Sequence, residues 1–156
     1  MKNADRGRSI SKDGSGLCIG LAASRYNESI VGELVESTRR ELSQLGVAEV
    51  DISEYWTPGA FELPLVVKTM LEAGHLDAVV CLGCVIRGET PHFDFVAGET
   101  AAGIMRVGLE QNVPVIFGVL TTETMDQAIE RTKDRGAEFA NTAVEMVQLL
   151  DSIRSI

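Results

Sequence analysis

The chain has 156 residues, 45% of them apolar and 24% charged, a mix that fits one compact domain and excludes wholesale disorder. Its formal charge is −9; the first 16 residues carry a local +2, so the remaining 140 hold −11, and a surface that acidic repels phosphate backbones and argues against a nucleic-acid partner. No apolar run reaches the ~18 residues of a membrane helix, no signal peptide is evident, and three cysteines cannot all pair within one chain. A cytoplasmic protein with reduced thiols is the expectation.

Met1 to Gly16 is polar and aperiodic, and is read as a flexible arm or at most an edge strand ahead of one domain spanning 17–156. From Leu17 the pattern changes. LCIGLAA (17–23) is a near-continuous apolar run, as expected of a parallel strand buried on both faces. Glu28 to Leu45 follows with Ile30, Leu34, Leu42 and Leu45 near helical spacing, and Gly46 stands where a helix C-terminal glycine belongs. Val50 to Trp56 alternates apolar and polar and reads as a second strand.

Phe61 to Ala73 predicts a short helix with Pro64 in its first turn, where the missing N–H does no harm. AVVCLGCVI (78–86) is the most apolar segment and the third strand. A helix over about 93–111 and the strand PVIFGVL (114–120) come next. Thr124 to Ile153 reads as one helix or two, with a break expected near Gly136. Strand and helix alternate four times without internal repeats, which predicts an open α/β fold: a four-stranded parallel sheet with helices on both faces, flavodoxin-like in arrangement.

Ligands of such sheets sit outside the carboxyl ends of the strands. Those exits are SRYNES (24–29), TPGAFE (57–62), RGETPHFD (87–94) and TTET (121–124), polar loops beside very apolar strands. RGETPHFD carries the most chemistry. Gly88 permits close backbone approach, the N–H groups of Glu89 and Thr90 precede a helix N-terminus that favours anions, and His92 exchanges a proton near neutral pH. The competing reading is a capped helix start with a surface histidine. His75 lies in a helix-to-strand turn away from these exits and is assigned no chemistry. Cys81-Leu-Gly-Cys84 matches C-x-x-C, but residues three apart in a strand point to opposite faces, so neither redox nor metal chemistry is expected. Both are read as small apolar packers, like Cys18.

Glu62 is either a helix-dipole carboxylate or an acceptor for sugar hydroxyls. Tyr26 is either a loop aromatic or a face for a flat heterocycle. G-x-G-x-x-G, G-x-x-x-x-G-K and G-x-S-x-G are all absent, so dinucleotide, ATP and serine-hydrolase readings lose ground.

SRYNESIV, TPGAFELP, GCVIRGETPHFDFV and PVIFGVLTTETMDQAIER, taken in order, closely resemble the lumazine synthase family. The resemblance runs from about Leu17 to the C-terminus. It implies condensation of 5-amino-6-(D-ribitylamino)uracil with 3,4-dihydroxy-2-butanone 4-phosphate to 6,7-dimethyl-8-ribityllumazine, with loss of phosphate and water, the penultimate step of riboflavin biosynthesis. This is transferase chemistry with no metal and no organic cofactor. By the same resemblance Tyr26 stacks on the pyrimidine with Asn27 beside it, and Ala60, Phe61 and Glu62 bind the ribityl-aminouracil. Cys84, Val85 and Ile86 line the heterocycle, Glu89, Thr90 and Arg131 hold the phosphate, and His92 is the acid/base. Phe117 and Arg131 are expected to reach the pocket from a neighbouring subunit of a pentamer; a 60-subunit shell of twelve pentamers is left open.

One departure stands out. Many members of that family follow QAIERA with G-T-K-A-G-N-K-G before the last helix, whereas this chain runs Arg131-Thr-Lys-Asp-Arg-Gly136 and is several residues shorter. Two other classes compete with this reading. A non-catalytic flavin- or pterin-binding module would need Tyr26 and Glu62 but not Arg131 with His92. A response-regulator-like signalling domain would want clustered acids at the first strand exit, which SRYNES lacks.

Overall fold

The computed structural model describes residues 7 and 10–156. Four strands form one parallel sheet in the order β2-β1-β3-β4, with β1 at Ile19–Ser24, β2 at Ile52–Thr57, β3 at Ala78–Ile86 and β4 at Val115–Thr122. Each strand is followed by a helix: α1 Glu28–Gln44, α2 Leu63–Ala73, α3 His92–Gln111 and α4 Met125–Arg154. This is the flavodoxin-like α/β architecture expected from the sequence.

Alternation along the strands makes two cores. Ile19, Leu21 and Ala23 of β1, with Val80, Leu82 and Cys84 of β3, pack against α1 and α4. Ala22, Val79, Cys81 and Val119 pack on the other face against α2 and α3. Cys81 and Cys84 therefore lie on opposite sides of the sheet, as the strand period requires. Both are buried, and burial pushes the two thiols up, Cys84 to about 11.

Helix α1 ends as Gly46 signals. Gly46 has φ 99°, its N–H donates to the Ser43 carbonyl at 3.1 Å, and the Val47 N–H donates to the Leu42 carbonyl at 3.0 Å. That pair of bonds is a Schellman motif, and buried Val47 and Leu42 supply its hydrophobic contact.

Two expectations need correction. Val50 belongs to a 3₁₀ turn, Glu49–Asp51, and is 92% exposed; β2 starts two residues later, at Ile52. The break expected near Gly136 does not exist either, because α4 runs unbroken for 30 residues. Gly136 is buried where α4 crosses α1: a Cβ there would overlap the Ser37 hydroxyl and come within 2.8 Å of the Leu34 carbonyl oxygen. Its own carbonyl accepts a hydrogen bond from the buried Thr38 hydroxyl at 3.2 Å. The glycine marks close helix packing, not a hinge. With no G-T-K-A-G-N-K-G stretch after Arg131, the helix continues directly into the AEFANTAVEM segment.

Of the segment read as an arm or edge strand, residues 10–16 form no strand. The Gly14 N–H donates to the Leu45 carbonyl at 2.7 Å and Lys12 pairs with Glu145 at 3.4 Å. The rest of that reading lies outside the described residues. Among the described residues, no helix is long and apolar enough to cross a membrane.

Candidate functional site

The exits of β1, β2 and β3 and the start of α3 surround a cleft of about 730 Å³ at the carboxyl rim of the sheet. Tyr26 and Asn27 come from the first exit and Ala60, Phe61 and Glu62 from the second. Cys84, Val85 and Ile86 contribute the end of β3, and Thr90 and His92 the entry to α3. These are ten of the thirteen residues singled out from the sequence, brought together by four separate segments. Glu89, Phe117 and Arg131 are not among the lining residues. All three are exposed: Phe117 on the edge strand β4 on the α2–α3 face of the sheet, and Arg131 in the second turn of α4. The Arg131 guanidinium donates to the Gln127 carbonyl at 3.1 Å.

Asn27 is the joint between the first and third exits. It caps α1 in the left-handed conformation, φ 57° and ψ 44°, which asparagine tolerates better than most residues. The β1–β3 pairing ends at Ala23 and Leu82. Beyond that point the Asn27 side-chain amide donates to the Cys84 carbonyl at 2.9 Å, continuing the connection where the ladder stops.

The second exit is folded by Thr57. Its buried hydroxyl donates to the Gly59 carbonyl at 2.7 Å and lies 3.3 Å from the Ala23 carbonyl, while the Arg25 N–H donates to the Thr57 carbonyl at 3.0 Å. Gly59 is enclosed: a Cβ would stand 3.0 Å from the Glu62 Oε2 and 3.4 Å from the Tyr26 Cδ2. A carboxylate and an aromatic ring thus flank one glycine. Glu62 and Tyr26, the latter 74% exposed, present an acceptor and a flat apolar face to whatever occupies the cleft.

The third exit carries Arg87, Gly88, Glu89 and Thr90 into α3 at His92. Arg87 does not line the cleft. Its guanidinium pairs with Asp94 in two parallel bonds of 2.9 and 3.2 Å and with Glu123 at 2.8 Å, and lies 4.1 Å from the centre of the Phe93 ring. The hydrogen bonds from Arg87 hold the Asp94 carboxyl below the usual carboxylate range. Two carboxylates on one guanidinium leave this cluster anionic, so Arg87 offers little free charge to an anion. The groups left at the third exit that could favour an anion are the backbone N–H groups and the Thr90 hydroxyl at the head of α3.

Phe93, Phe95 and Val96 complete the wall and were not singled out from the sequence. The signal was present in HFDFV, where aromatic residues at the first turn of a helix recur too closely to face one core; Phe95 is 66% exposed. Gly59 and Gly88 also line the cleft. Among the described residues no group of three His, Cys, Asp or Glu side chains converges in a way that could hold a metal ion. His75 is exposed in the turn between α2 and β3, at the opposite end of the sheet from the cleft.

Residues 16–151 match a family model described as 6,7-dimethyl-8-ribityllumazine synthase. The 6,7-dimethyl-8-ribityllumazine synthase of Protochlamydia amoebophila is 48% identical over 139 residues, covering 86% of this chain and 81% of that protein. The protein of the same name from Cupriavidus necator is 48% identical over 145 residues, covering 91% of this chain and 87% of its own length.

Proposed function

From the premise that the chain belongs to the 6,7-dimethyl-8-ribityllumazine synthase family, we propose that its cleft condenses 5-amino-6-(D-ribitylamino)uracil with 3,4-dihydroxy-2-butanone 4-phosphate. The products are 6,7-dimethyl-8-ribityllumazine, phosphate and water, and the reaction is the penultimate step of riboflavin biosynthesis. The observation that carries this reading is the convergence of Tyr26, Glu62, the Cys84–Ile86 strand end, Thr90 and His92 on one cleft. An aromatic face, a hydroxyl acceptor, a run of strand backbone, an anion-favouring helix head and a titratable imidazole meet the needs of a ribityl-substituted uracil and a phosphorylated ketone.

In this reading Tyr26 stacks on the pyrimidine with Asn27 beside it. Ala60, Phe61 and Glu62 hold the ribityl chain, with Glu62 accepting from its hydroxyls. Cys84, Val85 and Ile86 line the heterocycle. The uracil's own amine is the nucleophile, so no serine or cysteine attack is required; the buried Cys84 thiol, with its raised pKa, is unsuited to one. The protein's first contribution is to hold two substrates together, which is worth several kcal/mol of pre-arranged encounter. His92 passes protons during imine formation and phosphate elimination, a contribution of roughly 10²–10⁴-fold.

The phosphate sits at the turn before α3, on backbone N–H groups and the Thr90 hydroxyl, with Glu89 in that turn through its backbone and its carboxylate turned away. Arg131 is its cationic partner and stabilises it as a leaving group. Because Arg131 and Phe117 are exposed and outside the cleft of their own chain, they act from a neighbouring subunit, in a pentamer that completes each site across an interface. Twelve such pentamers would make a 60-subunit shell. The three free thiols suit a cytoplasmic setting.

The test is direct: purified protein incubated with both substrates is followed by lumazine fluorescence, with native mass spectrometry for the assembly. Product above the spontaneous background supports the reading. Ligand binding without turnover would replace it with a flavin- or pterin-binding module.

A further inference from the structure

We propose that Arg87 is a positioning residue for the phosphate end of the cleft, acting by closing the loop from Arg87 to Asp94 on itself and tying it to the turn that starts α4. The inference rests on the functional reading above and adds a residue that the reading does not use.

The loop is short and exposed, and it carries four of the cleft's lining residues: Gly88, Thr90, His92 and Phe93. Gly88 has open space around its α-carbon, so packing does not hold the loop in the middle. What fixes it lies at its ends. At the start, the Arg87 N–H donates to the Thr122 carbonyl at 2.9 Å, which sets the backbone against the end of β4. At the far end, the Arg87 side chain returns across the loop to Asp94 with both terminal nitrogens, Nη1 to Oδ2 at 3.2 Å and Nη2 to Oδ1 at 2.9 Å. A planar fork on a carboxylate fixes orientation as well as distance.

The third nitrogen points elsewhere. Nε meets Glu123 at 2.8 Å from Oε2 and 3.1 Å from Oε1, in the turn between β4 and α4. That turn is itself organised. The Thr124 hydroxyl accepts from the Gln127 N–H at 3.2 Å, the Gln127 side-chain oxygen accepts from the Glu123 N–H at 3.0 Å, and the Gln127 carbonyl accepts from Arg131 at 3.1 Å. One guanidinium therefore connects the turn that would take the phosphate in its own cleft with the helix turn that would present Arg131 to a neighbouring cleft. Its face also lies 4.1 Å from the centre of Phe93, which walls the cleft.

A direct phosphate contact by Arg87 is the competing role, and the geometry speaks against it. The fork and Nε are all occupied by carboxylates, and Arg87 does not line the cleft. The two roles also predict different behaviour for lysine. A lysine keeps a point charge near the turn but cannot span Asp94 and Glu123 in a plane or cover the Phe93 ring in the same way. A contact residue tolerates Arg87→Lys; a positioning residue does not.

Steady-state kinetics on wild type, Arg87→Ala, Arg87→Lys and Glu123→Gln test this, with the affinity for inorganic phosphate measured by calorimetry as an activity-independent probe. Arg87→Ala is expected to raise KM for the phosphorylated ketone and the dissociation constant for phosphate about tenfold each. KM for the uracil should stay within twofold. Arg87→Lys should recover less than half of the loss on a logarithmic scale, and Glu123→Gln should shift the same two constants in the same direction by about threefold. The unfolding midpoint should barely move, because these pairs are exposed. Unchanged phosphate affinity in Arg87→Ala, full rescue by lysine, or equal rises in both KM values overturn the proposal. A wild-type chain that binds phosphate but forms no lumazine overturns the functional reading instead, and the calorimetric comparison still decides the role of Arg87 at the phosphate turn.

Discussion

Replacing Gly136 with alanine tests the packing of the two helices behind the sheet, and the sign of the effect is the informative quantity. In an unobstructed helix interior Gly→Ala stabilises by about 1 kcal/mol, since alanine is the better helix former. Position 136 is obstructed. The new Cβ would overlap the Ser37 hydroxyl and stand 2.8 Å from both the Ser37 Cβ and the Leu34 carbonyl oxygen. The hydroxyl can rotate away, but a Cβ and a backbone carbonyl cannot, so α4 must lift from α1. Overpacking of this kind costs about 1–3 kcal/mol. The same movement stretches the buried Thr38 hydroxyl bond to the Gly136 carbonyl, now 3.2 Å, and weakening a buried bond costs about 1 kcal/mol more. Set against the propensity gain, the net destabilisation is about 2 kcal/mol, or about 4–8 °C in Tm for a domain of this size.

The assay is chemical denaturation of wild type, Gly136→Ala and Gly136→Ala with Ser37→Ala, at one protein concentration so that assembly contributes equally. The midpoint should fall with the slope unchanged. The double variant should regain only part of the loss, because the Leu34 carbonyl and the residue-37 Cβ remain in place. A neutral or stabilised Gly136→Ala would refute the reasoning and show that α4 and α1 leave room for a Cβ at this crossing.

Asn27→Gly should cost about 1 kcal/mol, mainly the amide bond to the Cys84 carbonyl, whereas Asn27→Ala should cost about 2 because alanine also strains in the left-handed conformation; urea midpoints that rank alanine at or above glycine would contradict this. Buried Thr100 has a hydroxyl with no hydrogen-bond partner among the described residues, so Thr100→Val should stabilise by about 1 kcal/mol, and a loss of stability in thermal melts would show the hydroxyl is satisfied. For turnover, His92→Ala should leave substantial residual rate while Arg131→Ala mainly raises KM for the phosphorylated ketone; an unchanged constant in Arg131→Ala would sink its anchoring role. The Cys84 thiol, pushed by burial from an ordinary value of 9.0 to about 11, holds its proton more tightly folded than unfolded. Its effect on stability is therefore flat below pH 9 and unfavourable as pH climbs toward 11. Native protein at pH 8 should label at no more than the half-buried Cys18 and release the buried Cys81 and Cys84 thiols on unfolding, and rapid labelling of all three in the native state would contradict the burial.

What could be read from the sequence divides by the range of the interaction. The apolar runs of β1 and β3, the Gly46 helix end and the polar strand exits follow from periodicity and local backbone chemistry, which neighbouring residues determine. Parallel strands then place every exit on one rim, which marks Tyr26, Asn27, Glu62, Thr90 and His92 as candidates before any contact is known, whereas Ala60, Phe61 and the Cys84–Ile86 strand end rest on the family resemblance. Gly136 was misread because a glycine that ends a helix and one that lets two helices touch look the same until the partner is present; that partner, Ser37, lies 99 positions earlier in the chain. The Arg87 bridge was hidden for the same reason, since Glu123 stands 36 residues away while Asp94 is only seven. The Asn27 amide was hidden too, because its acceptor is a backbone carbonyl 57 residues on, exposed only where the β1–β3 ladder ends.

This division bears on where specificity can arise. A strand exit presents its backbone and the first few side chains after it, so the ribityl and heterocycle contacts proposed for Tyr26, Glu62 and the Cys84–Ile86 strand end need only the fold itself. The proposed phosphate end is different. It depends on a loop with open space at Gly88, on a guanidinium held by two distant carboxylates, and on a cation that its own cleft does not include. An acidic body of −11 would otherwise repel a phosphorylated substrate. In the proposed pentamer, Arg131 would sit on a surface that a second subunit completes, so the positive charge at the phosphate would be conditional on assembly. On that assembly, phosphate affinity should fall with the loss of the oligomer, which calorimetry across a dilution series would read.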